Sequence, residues 1–176
     1  MFHTGTTISP SVNNFTIEWT VFNPGSSLAE NFQQIGGYIG TGDQSNYLKF
    51  VAINHPQGEI ELVLEEADAT SSSYIQANDL FQASTSNKIF LELTIDVNAG
   101  TATPRVTYET ATGNKVVNGG AVDLAGTTVL DAIRGDYSVN GQTTGLAVGL
   151  YSSNTGPAPQ SDFQAIFDGI EIRANS

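Results

Sequence analysis

The sequence predicts an all-β fold, a two-sheet antiparallel jelly-roll sandwich. Three observations predict it: apolar and polar residues alternate with a period of two, Gly-rich polar turns separate the alternating runs, and almost no stretch has a helical period. Tyr47-Leu48-Lys49-Phe50-Val51-Ala52-Ile53 shows the alternation. It requires a sheet whose two faces meet different surroundings, because successive strand side chains point to opposite sides. Composition agrees: 18 Gly and only 14% charged residues leave the surface to neutral Thr, Ser, Asn and Gln.

Residues 1–12 are polar, contain a proline and read as a linker or lead-in, whereas 13–176 is long enough for one sandwich domain with one core. Phe15, Ile17, Trp19 and Val21 alternate with Thr16, Glu18 and Thr20 in a first half-buried strand that Asn23-Pro24-Gly25 breaks. Ser27-Leu28-Ala29-Glu30 has capping-box spacing and predicts one helical turn. Strands follow over 35–40 and 47–53, then over 59–65, with Ile60, Leu62 and Leu64 facing in and Glu59, Glu61 and Glu65 forming a charged row toward solvent. Residues 66–88 lack a period and read as a long excursion with a short strand around Tyr74.

Ile89, Leu91, Leu93, Ile95 and Val97 share one face of the next strand. Asn98-Ala99-Gly100 turns the chain, and Thr103 to Glu109 returns as the hairpin partner. Residues 128–135 read as a capped helical turn closed by Gly135 inside a long loop. Leu146 to Tyr151 and Phe163 to Ile172 complete the sheets. In the last run Phe163, Ala165 and Phe167 have one parity and Ile170 and Ile172 the other, so placing all five in the core requires a bulge at Asp168-Gly169.

Six Lys plus Arg against 18 Asp plus Glu give a formal charge of −12, which repels phosphate backbones and anionic lipid and excludes nucleic acid as a partner. With no Cys there is no disulfide, thiolate metal site or cysteine nucleophile, and two His are too few for a zinc site. No apolar run approaches the ~20 residues of a membrane span, so no membrane insertion is expected.

FTIEWTV (15–21), GYIGTGDQSNYLKFVAI (37–53), IFLELTID (89–96), GLAVGLYSSN (145–154) and FQAIFDGIEI (163–172) cover most of the chain. In this order they resemble the concanavalin A-like lectin/glucanase superfamily, in particular the laminin-G-like jelly-roll modules of large secreted bacterial proteins. The resemblance implies two stacked sheets, one curved, with ligands on the concave face or rim loops. It also implies a secreted or cell-surface location within a larger multidomain protein, and a structural calcium near the last strand. Activity in that superfamily diverges, so it has to be argued from the residues.

A glucanase needs two suitably spaced carboxylates. In the run from Glu59 to Glu65 the positions where the glucanase pattern puts its third acid are Val63 and Leu64, and Glu65 comes one residue late. Lyases of similar fold gather Arg, Gln, His and Tyr, whereas His3 lies in the lead-in and His55 precedes Pro56 in a turn. Calcium takes oxygens gathered on loops. Asp43 and Asn46 supply them on one loop and Asp168 at the bulge, with Glu18 near Asp168 if the terminal strands pair as the family arrangement implies. Sugar recognition joins an aromatic platform to planar polar groups. Tyr38, Tyr47 and Tyr151 on strands, with Lys49 and Arg105 on outward parities, are the ligand-binding candidates, and Trp19 has core parity.

The reading is a non-catalytic carbohydrate-binding module of a secreted or cell-surface bacterial protein such as an adhesin, stabilised by calcium. The alternatives are a structural or peptide-binding adhesin domain and a polysaccharide-degrading enzyme domain.

Overall fold

The alternating runs form stacked antiparallel sheets in the computed structural model, which describes residues 2–22, 24–67, 69–77, 80, 88–154 and 161–175. In chain order the elements are β1 (Phe2–Thr6), β2 (Asn14–Phe22), α1 (Pro24–Ser27), β3 (Gln33–Gly40), β4 (Asn46–Ile53), β5 (Ile60–Glu66), β6 (Ala69–Ile75) and β7 (Lys88–Asp96). They continue with β8 (Thr101–Thr110), β9 (Gly113–Asn118), β10 (Val122–Asp123), α2 (Thr128–Arg134), β11 (Ser138–Val139), β12 (Gln142–Thr143), β13 (Leu146–Asn154) and β14 (Ile166–Ala174). One sheet runs β1-β13-β3-β4-β5-β6 and the other β10-β8-β7-β2-β14, with β9 also on β8 and β11–β12 as a separate hairpin. The result is an antiparallel jelly-roll sandwich.

Period two sets the core. Phe15, Ile17, Trp19 and Val21 of β2 and Ile89, Leu91, Leu93 and Ile95 of β7 face Ile35, Ile39, Leu48, Phe50, Ala52, Ile60 and Leu62 of the first sheet. The helix α2 is longer than the single turn its sequence suggested. Thr127 caps it through a side-chain oxygen that accepts from Leu130 N, Gly135 ends it at φ 77°, and Val129, Leu130, Ala132 and Ile133 are buried. The register shift in β14 falls between Phe167 and Gly169, which brings Ile170 opposite Trp19 and Ile172 opposite Ile17. Phe163 and Ala165 pack on the core from before the strand, and Ile172, at the sheet edge, remains 38% exposed.

Three expectations are corrected. Residues 2–6 are not linker: they pair along β13 from Phe2↔Leu150 to Thr6↔Leu146. The strand expected around Tyr74 is the seven-residue β6, longer than foreseen, and β9 was not foreseen at all. These are edge strands held by backbone pairing with one neighbour, so polar side chains such as those of Ser71, Ser72 and Ser73 do not disturb them and leave no apolar period. Ser27 ends the first helix instead of starting one, because Pro24 occupies its first position with φ already set for a helix. The Glu30 carboxylate accepts from Ser161 N (3.1 Å) rather than capping.

Trp19 connects the layers. Its buried indole, 0% exposed, donates from Nε1 to the Gly149 carbonyl of the opposite sheet at 3.0 Å. The ring lies where a side chain on residue 37 would stand: a Cβ added to Gly37 would be 2.0 Å from Trp19 Cε2. Gly37→Ala should therefore cost about 1–3 kcal/mol by overpacking. Trp19→Phe should cost a similar amount, through a cavity and a carbonyl stripped of its donor. Urea unfolding of both variants measures this, with the chain's single Trp reporting fluorescence in the wild type and the Gly37 variant, and circular dichroism in the other.

Candidate functional site

On β4, Leu48, Phe50 and Ala52 point into the core, so Tyr47, Lys49, Val51 and Ile53 line the outer face of the first sheet. Register carries that face across all six strands of the sheet. Tyr47 lies beside Gly40 and Glu65, with Glu65 beside Thr70. Lys49 lies beside Tyr38 and Val63, and Tyr38 reaches Gly149 and then His3. In the next row Tyr151 pairs with Gly36, Gly36 with Val51, Val51 with Glu61 and Glu61 with Tyr74.

The polar groups of this face are bonded to one another. Lys49 Nζ donates to Gln34 Oε1 at 2.6 Å, sits 3.4 Å from Glu61 Oε2 and lies 5.0 Å from the centroid of the Tyr151 ring. The Tyr47 hydroxyl donates to Glu65 Oε2 at 2.9 Å, and Thr70 Oγ1 donates to the same oxygen at 3.3 Å. Tyr38 Oη and His3 Nδ1 are 2.6 Å apart, and Tyr74 stands opposite Glu61 in register. His55 stacks on Tyr74 at 4.6 Å, with Phe32 edge-on to the imidazole at 4.9 Å. Gln34, Tyr38, Lys49 and Glu61 are buried, Tyr47, Glu65, Tyr74 and Tyr151 are half-buried, and His3, Thr70 and Ser72 are exposed. The face is thus a locked polar floor bordered by tyrosine rings.

Burial pushes the Lys49 ammonium below the usual lysine range, against the pull of Glu61. Burial likewise holds the Tyr47 phenol far above its ordinary value, helped by its hydrogen bond to Glu65. It raises Tyr38, Tyr74 and Tyr151 as well. The carboxylates of Glu61 and Glu65 act on both Tyr47 and Tyr151, so these groups share one field.

Of the residues singled out from sequence, Tyr38, Tyr47, Lys49 and Tyr151 meet on this face. Arg105 does not: it lies on β8 of the second sheet and pairs with Glu92 at 3.1 Å. Outward parity was correct, but parity alone does not say which of two sheets a strand joins. Gln34, Glu61, Glu65, Tyr74 and His3 were missed as members of the face. The alternation around Glu61 had suggested a solvent row, whereas Glu61 is 6% exposed and ion-paired to Lys49. Tyr74 gave no periodic signal because β6 is a polar edge strand.

Neither expected metal place, the Asp43–Asn46 loop or the Asp168 bulge with Glu18, gathers a fuller ligand set among the described residues. Asp43 Oδ1 accepts from Ser45 N and Asn46 N at 2.9 Å, closing its own turn, and Asn46 Oδ1 accepts from Ala67 N. Asp168 pairs with Lys88 at 2.8 Å, and Glu18 with Arg173 at 3.4 Å. Among the described residues no group of three or more His, Asp or Glu side chains could hold a metal ion. These residues as placed do not fit a calcium site. No helix among the described residues is long and apolar enough to cross a membrane.

The fold and this face define a jelly-roll β-sandwich with a tyrosine-bordered polar surface. No family model matches the chain, and no curated protein matches it in sequence. Among solved structures it is similar to the GH43 protein BlXynB of Bacillus licheniformis, with a TM-score of 0.59 at 17% identity, over 93% of this chain and 28% of that one. It is also similar to the CBM40 of Ruminococcus gnavus IT-sialidase bound to alpha2,3 sialyllactose, with a TM-score of 0.47 at 13% identity, over 99% of this chain and 92% of that one. At these identities the GH43 likeness is one of fold, and this chain spans about 28% of that protein's length.

Two predictions follow from the floor. Lys49→Met leaves Glu61 buried without its cation and should cost about 3–5 kcal/mol, while replacing both residues by apolar ones should recover much of the loss. A double-mutant cycle in urea measures the coupling. Phenols of an unfolded chain ionise near pH ~10, and the folded ones hold their protons longer, so stability should fall as pH rises above ~10. Lys49 works in the opposite sense, but only up to the ordinary lysine range of ~10.4. Ultraviolet titration should show phenols that ionise only on alkaline unfolding, and full ionisation of all six tyrosines in the folded protein would contradict the burial.

Proposed function

We propose that this chain is a carbohydrate-binding module that holds its ligand across the outer face of the first sheet and does not turn it over. One observation carries this: Tyr47, Tyr74 and Tyr151 stand half-exposed around Gln34, Lys49 and Glu61, whose polar groups are already fixed. Rings cover the apolar C–H faces of a sugar, while fixed amide, carboxylate and phenol groups orient its hydroxyls. Fixing them beforehand lowers the entropy lost on binding. The row from Tyr151 to Tyr74 crosses four inter-strand steps, about 19 Å, enough for several sugar rings.

The same geometry speaks against glycoside hydrolysis. Glu61 and Glu65 are four residues apart on one strand, about 13 Å at Cα, while hydrolases hold their carboxyl groups about 5–9.5 Å apart. Each is also engaged, Glu61 by Lys49 and Glu65 by Tyr47 and Thr70. Glu59 spends Oε2 on Ala77 N.

The reading extends to a module of a larger secreted or cell-surface bacterial protein of adhesin type. Its support is the cysteine-free composition with only six Lys and Arg, the resemblance to concanavalin A-like modules, and a solved structure in which this fold matches 28% of a longer chain.

A glycan array followed by calorimetry tests the proposal. Tyr151→Ala and Tyr74→Ala should each weaken binding at least about tenfold, or about 1.4 kcal/mol, with circular dichroism unchanged. Arg105→Ala should leave affinity as it was. An array without binders would favour a spacer domain, and reducing ends released from a polysaccharide would establish an enzyme.

A further inference from the structure

We infer that the face accepts neutral or amine-bearing glycans and refuses those that carry carboxylate or sulfate, a selectivity that rests on the carbohydrate reading above. An anionic sugar is held most strongly by an available cation or a fork of charged donors. The chain has six Lys and Arg in all, and each has a described position. Five are elsewhere. Lys88 is on β7 with Asp168, Arg105 and Arg173 are ion-paired to Glu92 and Glu18 on the second sheet, Lys115 is on β9, and Arg134 donates from α2 to the Val97 carbonyl.

Lys49 is the sixth. It is 6% exposed, and its ammonium donates to Gln34 Oε1, pairs with the Glu61 carboxylate and lies over the Tyr151 ring. An acidic ligand would have to displace Glu61 from it and leave that carboxylate buried without a partner. Glu61 and Glu65 lie on the outward side of β5, so the face carries two carboxylates against one ammonium. The net charge of −12 adds repulsion at longer range. The Nδ1 of His3 is engaged with Tyr38 Oη at 2.6 Å.

Glu65 gives the selectivity its positive side. It is half-buried, its partners are the neutral hydroxyls of Tyr47 and Thr70, and no ion pair to a basic side chain is made by it among the described residues. A sugar ammonium can complete that site, and a sugar hydroxyl or acetamide can bond there without a charge penalty.

The test is binding of the wild-type chain, near neutral pH and at two salt concentrations, to neutral, N-acetylated, amine-bearing, uronate, sialylated and sulfated glycans. Neutral or amine-bearing glycans should bind, with their acidic counterparts at least about tenfold weaker, and binding of amine-bearing sugars should weaken with salt. In Glu65→Gln the ratio of amine-bearing to neutral affinity should move toward one. A uronate, sialylated or sulfated glycan bound as tightly as its neutral counterpart would overturn the selectivity and leave the carbohydrate reading standing. Failure of every glycan to bind would remove both.

Discussion

A single buried indole couples the two layers of this sandwich. Trp19 rises from β2 in the second sheet, fills the space that Gly37 leaves open, and donates to the Gly149 carbonyl of the first. Both contacts lie directly under the candidate site: Gly37 precedes Tyr38, and Gly149 is the register partner of both Tyr38 and His3. The depth at which the polar floor sits is therefore set from inside the core. Close-packed interiors transmit such constraints because they have little free volume to absorb them.

Above that contact the structure places a charged pair where an apolar pair would give up little stability. Burying Lys49 and Glu61 costs solvation that their mutual attraction only partly returns, and the depressed lysine ionisation records this. What the pair provides is a fixed arrangement: one ammonium organises Gln34, Glu61 and the Tyr151 ring. The second sheet handles charge differently. Glu18, Glu92, Arg105 and Arg173 form a ladder of ion pairs in which the arginines are much more exposed than Lys49. The two outer faces thus differ in how deeply their charges are withdrawn from water.

The strands with one buried face were legible in the sequence, because burial forces strict alternation and alternation can be counted. The bulge near Asp168 was legible for the same reason, since two parities in one apolar run must be reconciled. Edge strands β1 and β9 were not, and β6 only as a short strand around Tyr74, because such strands rest largely on backbone pairing and backbone groups are the same in every residue. Part of the site followed suit: Tyr38, Tyr47, Lys49 and Tyr151 sit on alternating strands and could be nominated, while Tyr74 and His3 come from edge strands and could not.

By itself, then, the sequence determined the class of fold, the residues of the core and the outward side of each regular strand, since these follow from a local period of two. The tertiary structure decided which outward sides coincide. Arg105 and Lys49 have the same kind of parity, yet one lies on the second sheet and the other at the centre of the tyrosine face. Glu61, written as one of a solvent row, became a buried partner because β4 brought an ammonium beside it. Strand order arises from pairings between segments distant in sequence, and no local pattern encodes them.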